Sequence, residues 1–337
     1  MIFHLLLAAI SALILFRSAN WLVQGISKIA QYLQWSEFII AFFVMAIGGG
    51  LPNLFIGLSS VAHGVPELSF GDVVGNSVVD LTLVAAVGVL VGSDLLAEGK
   101  LVQTSAFLTI SIAILPLLLI LDGVLGRGDA IVLVIVFLLY SLWMFTKRRY
   151  YQKTFDANFK PPFRRFSSFL TGLLQIAGGG ALLFASAEGI VRAANFFADA
   201  FSLSIAFIGI LGLGLGTALP ELYFAIAAAR RGKSWVILGE LMGSVIILTT
   251  LILGIVAFLH PIVVEDFSPF AFARFFMILS ALFFLIFVRT GRKITRKEAL
   301  VLIALYLAFV AVELFTKIWC DPDVSSFCLK EAFPVLE

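Results

Sequence analysis

The sequence predicts an all-α polytopic membrane protein, with ten transmembrane helices in two five-helix repeats of inverted topology. Three features lead there. Of 337 residues, 61% are hydrophobic and only 13% charged, about half the charge of a soluble domain. Apolar runs of about 20 residues, the length of a membrane crossing, recur along the whole chain. Finally, two distant stretches match at a fixed offset. With Pro52 laid on Pro220, an offset of 220 − 52 = 168, Ser36 to Val84 runs without a gap beside the stretch that begins at Ser204. Ile40 meets Ile208, Gly48 meets Gly216, Gly71 meets Gly239, Gly75 meets Gly243 and Thr82 meets Thr250. In so apolar a chain, matched aliphatic residues mean little. Glycines and prolines in one register mark an internal duplication.

Taken in order, the expected helices are 2–30, 37–62, 70–92, 101–121, 129–146, 168–192, 203–229, 234–259, 269–289 and 297–318. The first begins at Met1 without a basic leader or a small-residue cleavage site, and Arg17 and Asn20 interrupt it, so it reads as a retained span. Connections are short except at 147–167, rich in Lys and Arg with paired prolines, which separates five spans from five. The expected division is a first repeat at 1–146, this basic linker, a second repeat at 168–319 and a tail at 320–337. Basic residues favour the cytoplasmic side. The linker therefore lies inside, as do Arg230, Arg231, Lys233, Arg289, Arg292, Lys293, Arg296 and Lys297, while Glu265, Asp266, both termini and the tail lie outside. An odd number of spans per half makes the second half enter the membrane in the opposite sense, an architecture recurrent in secondary transporters. Cys320 and Cys328 in the outside tail either pair in an oxidising compartment or remain two free thiols.

Chemistry concentrates where the repeats match. Pro52 and Pro220 each remove a helix donor and disturb the carbonyl four residues back, at Gly48 and Gly216. Freed carbonyls inside a bilayer need protein, water or an ion to face. Glu221 follows Pro220 directly, and an acid at that depth is a functional candidate by default. Asp72, Asn76 and Asp80 stand four apart and form one stripe on the next helix. About 12 Å of helix rise separates Asp72 from Asp80, so one ion cannot touch both. Asp80 is the deeper candidate, while Asp72 and Glu240 read as an access path near the span ends or as solvated helix-start acids. Carboxylates and carbonyls without thiolate or imidazole suit hard cations such as Na⁺ or Ca²⁺. Glu188 answers Gln24 in the first span and reads as an intramembrane hydrogen-bonding residue. His4, His63 and His260 fit no metal spacing.

The motif pair GGGLPN…GDVVGNSVVD and GTALPE…GELMGSVIIL resembles the two repeats of the sodium/calcium exchanger (cation/calcium antiporter) family. The resemblance covers most of the chain and implies alternating-access exchange of Ca²⁺ for Na⁺, or for H⁺ in some branches. It implies ion ligands at Thr217, Glu221 and Ser244 in the second repeat and at Asn76 and Asp80 in the first. Departures from the family pattern include Gly49-Gly50 for Thr-Ser, Asn53 for Glu, Asp72 and Glu240 for Asn, and Leu248 for a polar ligand. The expected cation shell is Glu221, Asp80, Asn53, Thr217, Asn76, Ser244 and the Gly48 and Gly216 carbonyls, with Glu221, Asp80 and Asn53 holding a divalent ion. A second carboxylate at Asn53 is then expected to tighten divalent binding.

The expected function is a secondary-active cation antiporter in a prokaryotic plasma membrane, most simply Ca²⁺ for Na⁺. One rival couples to H⁺ or carries another cation, and another is a non-transporting membrane scaffold or regulator. An enzyme is disfavoured, since no nucleophile, base and orienting group fall together. No cofactor is called for beyond the transported ions. Lipid and cations are the expected partners, without an obligate protein partner. No basic patch interleaved with aromatics points to nucleic acid.

Overall fold

The computed structural model describes residues 1–32, 37–97, 100–146, 166–232, 234–264 and 268–319. The expectations for Lys233, Glu265, Asp266, nearly all of the 147–167 linker, Cys320, Cys328 and the 320–337 tail lie outside them. Among the described residues ten helices follow one another: α1 (Ile2–Tyr32), α2 (Glu37–Ala62), α3 (Pro66–Val91), α4 (Lys100–Leu119) and α5 (Arg127–Thr146) in the first half. The second half holds α6 (Phe166–Ala200), α7 (Ile205–Arg230), α8 (Ser234–Ile246 continued by Leu253–Leu259), α9 (Ser268–Arg289) and α10 (Arg296–Trp319). Among the described residues nine of these are long and apolar enough to cross a membrane, and α2 contributes a shorter apolar stretch, Gly50–Ala62. The chain is a multi-pass integral membrane protein.

Two boundaries differ from expectation. Helix α3 starts at Pro66, not at residue 70, because proline fits the first helical turn, where its missing N–H would have no partner. Helix α6 runs on to Ala200, well past residue 192. The expected interruption at proline is also asymmetric. Helix α2 passes through Pro52 unbroken, whereas α7 pauses at Ala218 and restarts at Leu219 with Pro220 in its new first turn.

Equivalent helices of the two halves pack against each other. A Cβ on Gly25 of α1 would stand 2.7 Å from the Gly172 carbonyl oxygen of α6, and one on Gly189 would stand 2.2 Å from Ser11 Oγ. Contacts that advance along α1 retreat along α6, so the pair is antiparallel, as inversion of the second half requires. At the centre, α3 crosses α7 backbone to backbone. A Cβ on Gly75 would lie 2.0 Å from the Ile210 carbonyl oxygen. Helices α3 and α8 are the most enclosed of the molecule.

Two very short antiparallel ribbons join the halves. Strand β1 (Leu95–Leu96), after α3, pairs with β4 (Lys293–Ile294), after α9. Strand β2 (Val124–Leu125), after α4, pairs with β3 (Ile262–Val263), after α8. Alternating crossings put each pair of loops on one face and the two ribbons on opposite faces. The Lys293 ammonium donates to Asp94 at 2.8 Å, and that carboxylate holds the Lys293 pKa above its usual value.

Candidate cation-binding site

Helices α2, α3, α7 and α8 carry the matched motifs, and their polar residues meet inside the protein. Asn53 Nδ2 donates to Asp72 Oδ2 at 2.9 Å, and Thr217 Oγ1 donates to Asp72 Oδ1 at 2.8 Å. Asn76 Nδ2 donates in turn to Thr217 Oγ1 at 2.9 Å. One turn deeper along α3, Ser244 Oγ donates to Asp80 Oδ2 at 2.9 Å. Each of these bonds crosses between helices, and the last three cross between repeats.

The oxygens left over are as informative as those bonded. Asn53 Oδ1, Asn76 Oδ1, Asp80 Oδ1, Glu240 Oε2 and both oxygens of Glu221 are buried and have no hydrogen-bond partner. Buried polar atoms are normally satisfied, and every one of these is an acceptor. Glu221 lies within electrostatic reach of Asp80, Glu240 and Asp72, in falling order of strength. None of the ion pairs found among the described residues reaches these four acids. Buried carboxylates need positive charge close by. Here a cation or protons must supply it.

Carboxyl groups alone do not make a cage, since no three Asp, Glu, His or Cys among the described residues converge on one ion. Amide and hydroxyl oxygens have to complete any coordination shell, which suits a hard cation. Helix geometry assists. A wide π turn interrupts α3 at Asp80–Val84 and another interrupts α8 at Ile247–Ile252. Since 80 + 168 = 248, both fall at the same repeat position. Such turns are frequent at functional sites, and nothing in residue type or spacing announced them.

Several expected residues are thus together and several are not. Glu221, at 2% exposure, Asp80, Asn53, Thr217, Asn76 and Ser244 are all buried in this region. Asp72 corrects the expectation of an access-path or solvated acid, because it is 0% exposed and bonded to Asn53 and Thr217. A stripe drawn on its own helix could not reveal what α2 and α7 bring to it. Glu240 keeps 9% exposure beside the charge of Asp80. Gly216 departs from the shell. It shares the exposed face of α7 with Leu215 and Leu219, and its carbonyl accepts the Ala218 N–H. Gly48 lies within α2, but its surroundings are outside the described residues. Asn53, where a carboxylate was expected to tighten divalent binding, donates its NH₂ to Asp72, so a Glu there would face that acid. Glu188 is a hydrogen-bonding residue as expected, held by Ser59 Oγ at 3.0 Å, Arg192 Nε at 2.7 Å and His63 Nε2 at 3.1 Å.

A family model described as sodium/calcium exchanger protein matches residues 3–146 and 171–315. The chain belongs to the sodium/calcium exchanger family. This exchanger is 26% identical to the sodium/calcium exchanger MaX1 of Methanosarcina acetivorans over 347 aligned residues, 92% of this chain and 98% of that protein. It is 24% identical to the putative antiporter CaxA of Alkalimonas amylolytica, covering 89% of this chain and 95% of that one. The solved structure of the sodium-calcium exchanger NCX_Mj soaked with 10 mM Na⁺ and 10 mM Sr²⁺ matches with a TM-score of 0.61 at 25% identity, over 92% of this chain and 97% of the other. The two stretches matched by the family model fall on either side of the basic linker, one per repeat of the exchanger.

Proposed function

We propose that this exchanger carries Ca²⁺ in exchange for Na⁺ by alternating access, through a site built on Glu221, Asp80, Asn53, Asn76, Thr217 and Ser244. The observation that carries it is the cluster of buried acceptor oxygens without a partnering donor or basic side chain, on four helices drawn from both repeats. The named activity of MaX1 supports Ca²⁺ and Na⁺ as the pair. The site draws on both repeats and lies on deeply enclosed helices, which is where inverted-repeat carriers bind their cargo. In this reading the protein is a carrier and not an enzyme, its ions are cargo, and lipid and cations are its partners, without an obligate protein partner.

A single experiment separates the coupling modes. Purified protein in liposomes is given labelled Ca²⁺ under an outward Na⁺ gradient, and separately under an outward H⁺ gradient. Uptake driven by Na⁺ and abolished in Glu221→Gln is expected. Uptake driven by H⁺ alone would replace Na⁺ as the counter-ion, and no uptake under either gradient would remove Ca²⁺ as cargo.

A further inference from the structure

We propose that Asp72 is a positioning residue that fixes which end of the Asn53 and Asn76 amides faces the transported cation. The proposal rests on the site described above and goes on to say how its neutral ligands are aimed. A primary amide offers an oxygen on one side and an NH₂ on the other, and the two shapes are nearly identical. Only the surrounding hydrogen bonds decide the orientation. An NH₂ turned towards a cation would repel it, so a site that uses amide oxygens needs a rule against the flip.

Asp72 supplies that rule. In its ionised form the carboxylate can only accept. Oδ2 therefore demands the NH₂ of Asn53, at 2.9 Å, and Asn53 Oδ1 is left buried and unpartnered. Oδ1 takes the hydroxyl proton of Thr217 at 2.8 Å. That proton has a second acceptor within reach, the Leu213 carbonyl at 2.8 Å, and a charged acceptor wins over a neutral one. With its proton committed, Thr217 Oγ1 can only accept from Asn76, which it does at 2.9 Å, and Asn76 Oδ1 is left buried and unpartnered in its turn. One carboxylate thus sets both amides, the first directly and the second through a hydroxyl. The side chain of Asp72 is engaged by these two donors and is fully buried. Its charge remains part of the local field, since Glu221 feels it, though less than that of Asp80.

An Asn at position 72 keeps the size and loses the rule. Its own NH₂ can donate to Asn53 Oδ1, which turns the Asn53 NH₂ into the site. A role in orientation predicts that part of the loss passes through Asn53 and the rest through Thr217 and Asn76, whereas a role in net charge or packing predicts a loss independent of Asn53. A double-mutant cycle separates the two. Calorimetric titration with CaCl₂ and with NaCl is run on wild type, Asp72→Asn, Asn53→Ala and the double variant, each checked for a monodisperse folded peak. Asp72→Asn is expected to weaken both cations by about tenfold or more, the size typical of residues that orient ligands. In the Asn53→Ala background it is expected to cost less, the remainder being the share that passes through Thr217 and Asn76. Equal loss in both backgrounds, or a loss confined to Ca²⁺, overturns the proposal. If Asp72→Asn does not fold, Asp72→Ala, which removes the acceptor altogether, takes its place in the same cycle, with the same two outcomes.

A second measurement does not depend on cargo. In asparagine-labelled protein, the side-chain NH₂ resonances of Asn53, assigned by their absence in Asn53→Ala, are expected to move in Asp72→Asn or its Ala substitute. Unmoved resonances overturn the proposal. Wild type that binds neither cation while these resonances move would defeat the Ca²⁺/Na⁺ reading and leave the orienting role standing.

Discussion

Glu221 and Asp80 divide the work at the residue level. Neither oxygen of Glu221 is held by another residue, while Asp80 has one oxygen held by Ser244 and one free. A bound cation and a proton compete for the same oxygens, so affinity should fall as pH falls and recover as it rises. Glu221→Gln removes one of the competing groups. It should lower exchange by about a hundredfold or more, since taking away one member of a buried charge pair costs about 3–5 kcal/mol, and flatten the pH dependence that remains. Flux in liposomes at stepped pH values checks both effects. Asn53→Glu should weaken Ca²⁺ binding by about tenfold at neutral pH and make it steeper in pH, because it sets two carboxylates where one donor bond now stands. Tighter binding in calorimetry would mean that Asn53 turns away from Asp72. Glu221 was legible in the sequence, since an acid beside a proline in an apolar run is conspicuous alone. Asp72 was not. Its position in the four-residue stripe is ordinary, and its meaning depends on Asn53 and Thr217, 19 and 145 residues away.

Among the elements, the crossing of α3 and α7 sets the separation at which these side chains meet. Gly75 has to be a glycine for close approach, not for backbone freedom, because its Cβ would stand 2.0 Å from the Ile210 carbonyl oxygen. Gly75→Ala should destabilise the fold by about 1–3 kcal/mol, the usual cost of overpacking. Gly128→Ala, in open space at the start of α5, should cost under about 0.5 kcal/mol. Thermal unfolding of both variants in detergent tests the contrast, and equal midpoints would refute the close crossing. Helix existence was legible throughout, since runs of apolar residues bounded by Gly, Pro and charge leave few options in a bilayer. Helix ends were less so. Pro66 reads equally as loop or as first turn, and no residue type or spacing announces the π turns at Asp80–Val84 and Ile247–Ile252.

At the level of the whole molecule, the duplication was legible because glycine and proline have few substitutes and kept their register. The ribbons were not, since two-residue strands carry no periodicity. Each ribbon ties the halves together at one face, so the halves should not separate there during exchange. In protein with Cys320 and Cys328 replaced by serine, cysteine pairs at Leu96 and Lys293, and at Val124 and Val263, stand in register for cross-linking. Oxidation of either pair should leave the exchange rate within about threefold, as expected for bonds that do not break in a μs–ms transition. Loss of flux restored by reduction would show that the ribbon opens.

The ribbons also bear on how the chain is made. Leu95 cannot pair until Ile294 exists, and Val124 waits for Ile262. Asp80 likewise waits for Ser244, and Asp72 for Thr217. During synthesis at about 5–20 residues per second, the first half therefore sits in the bilayer for roughly ten seconds or more with its acids uncovered. That interval is where the nascent chain is exposed to quality control. A stop codon after the eighth helix would leave β1 permanently single and the first half without its closing strand, and such a product should be cleared within minutes of translation.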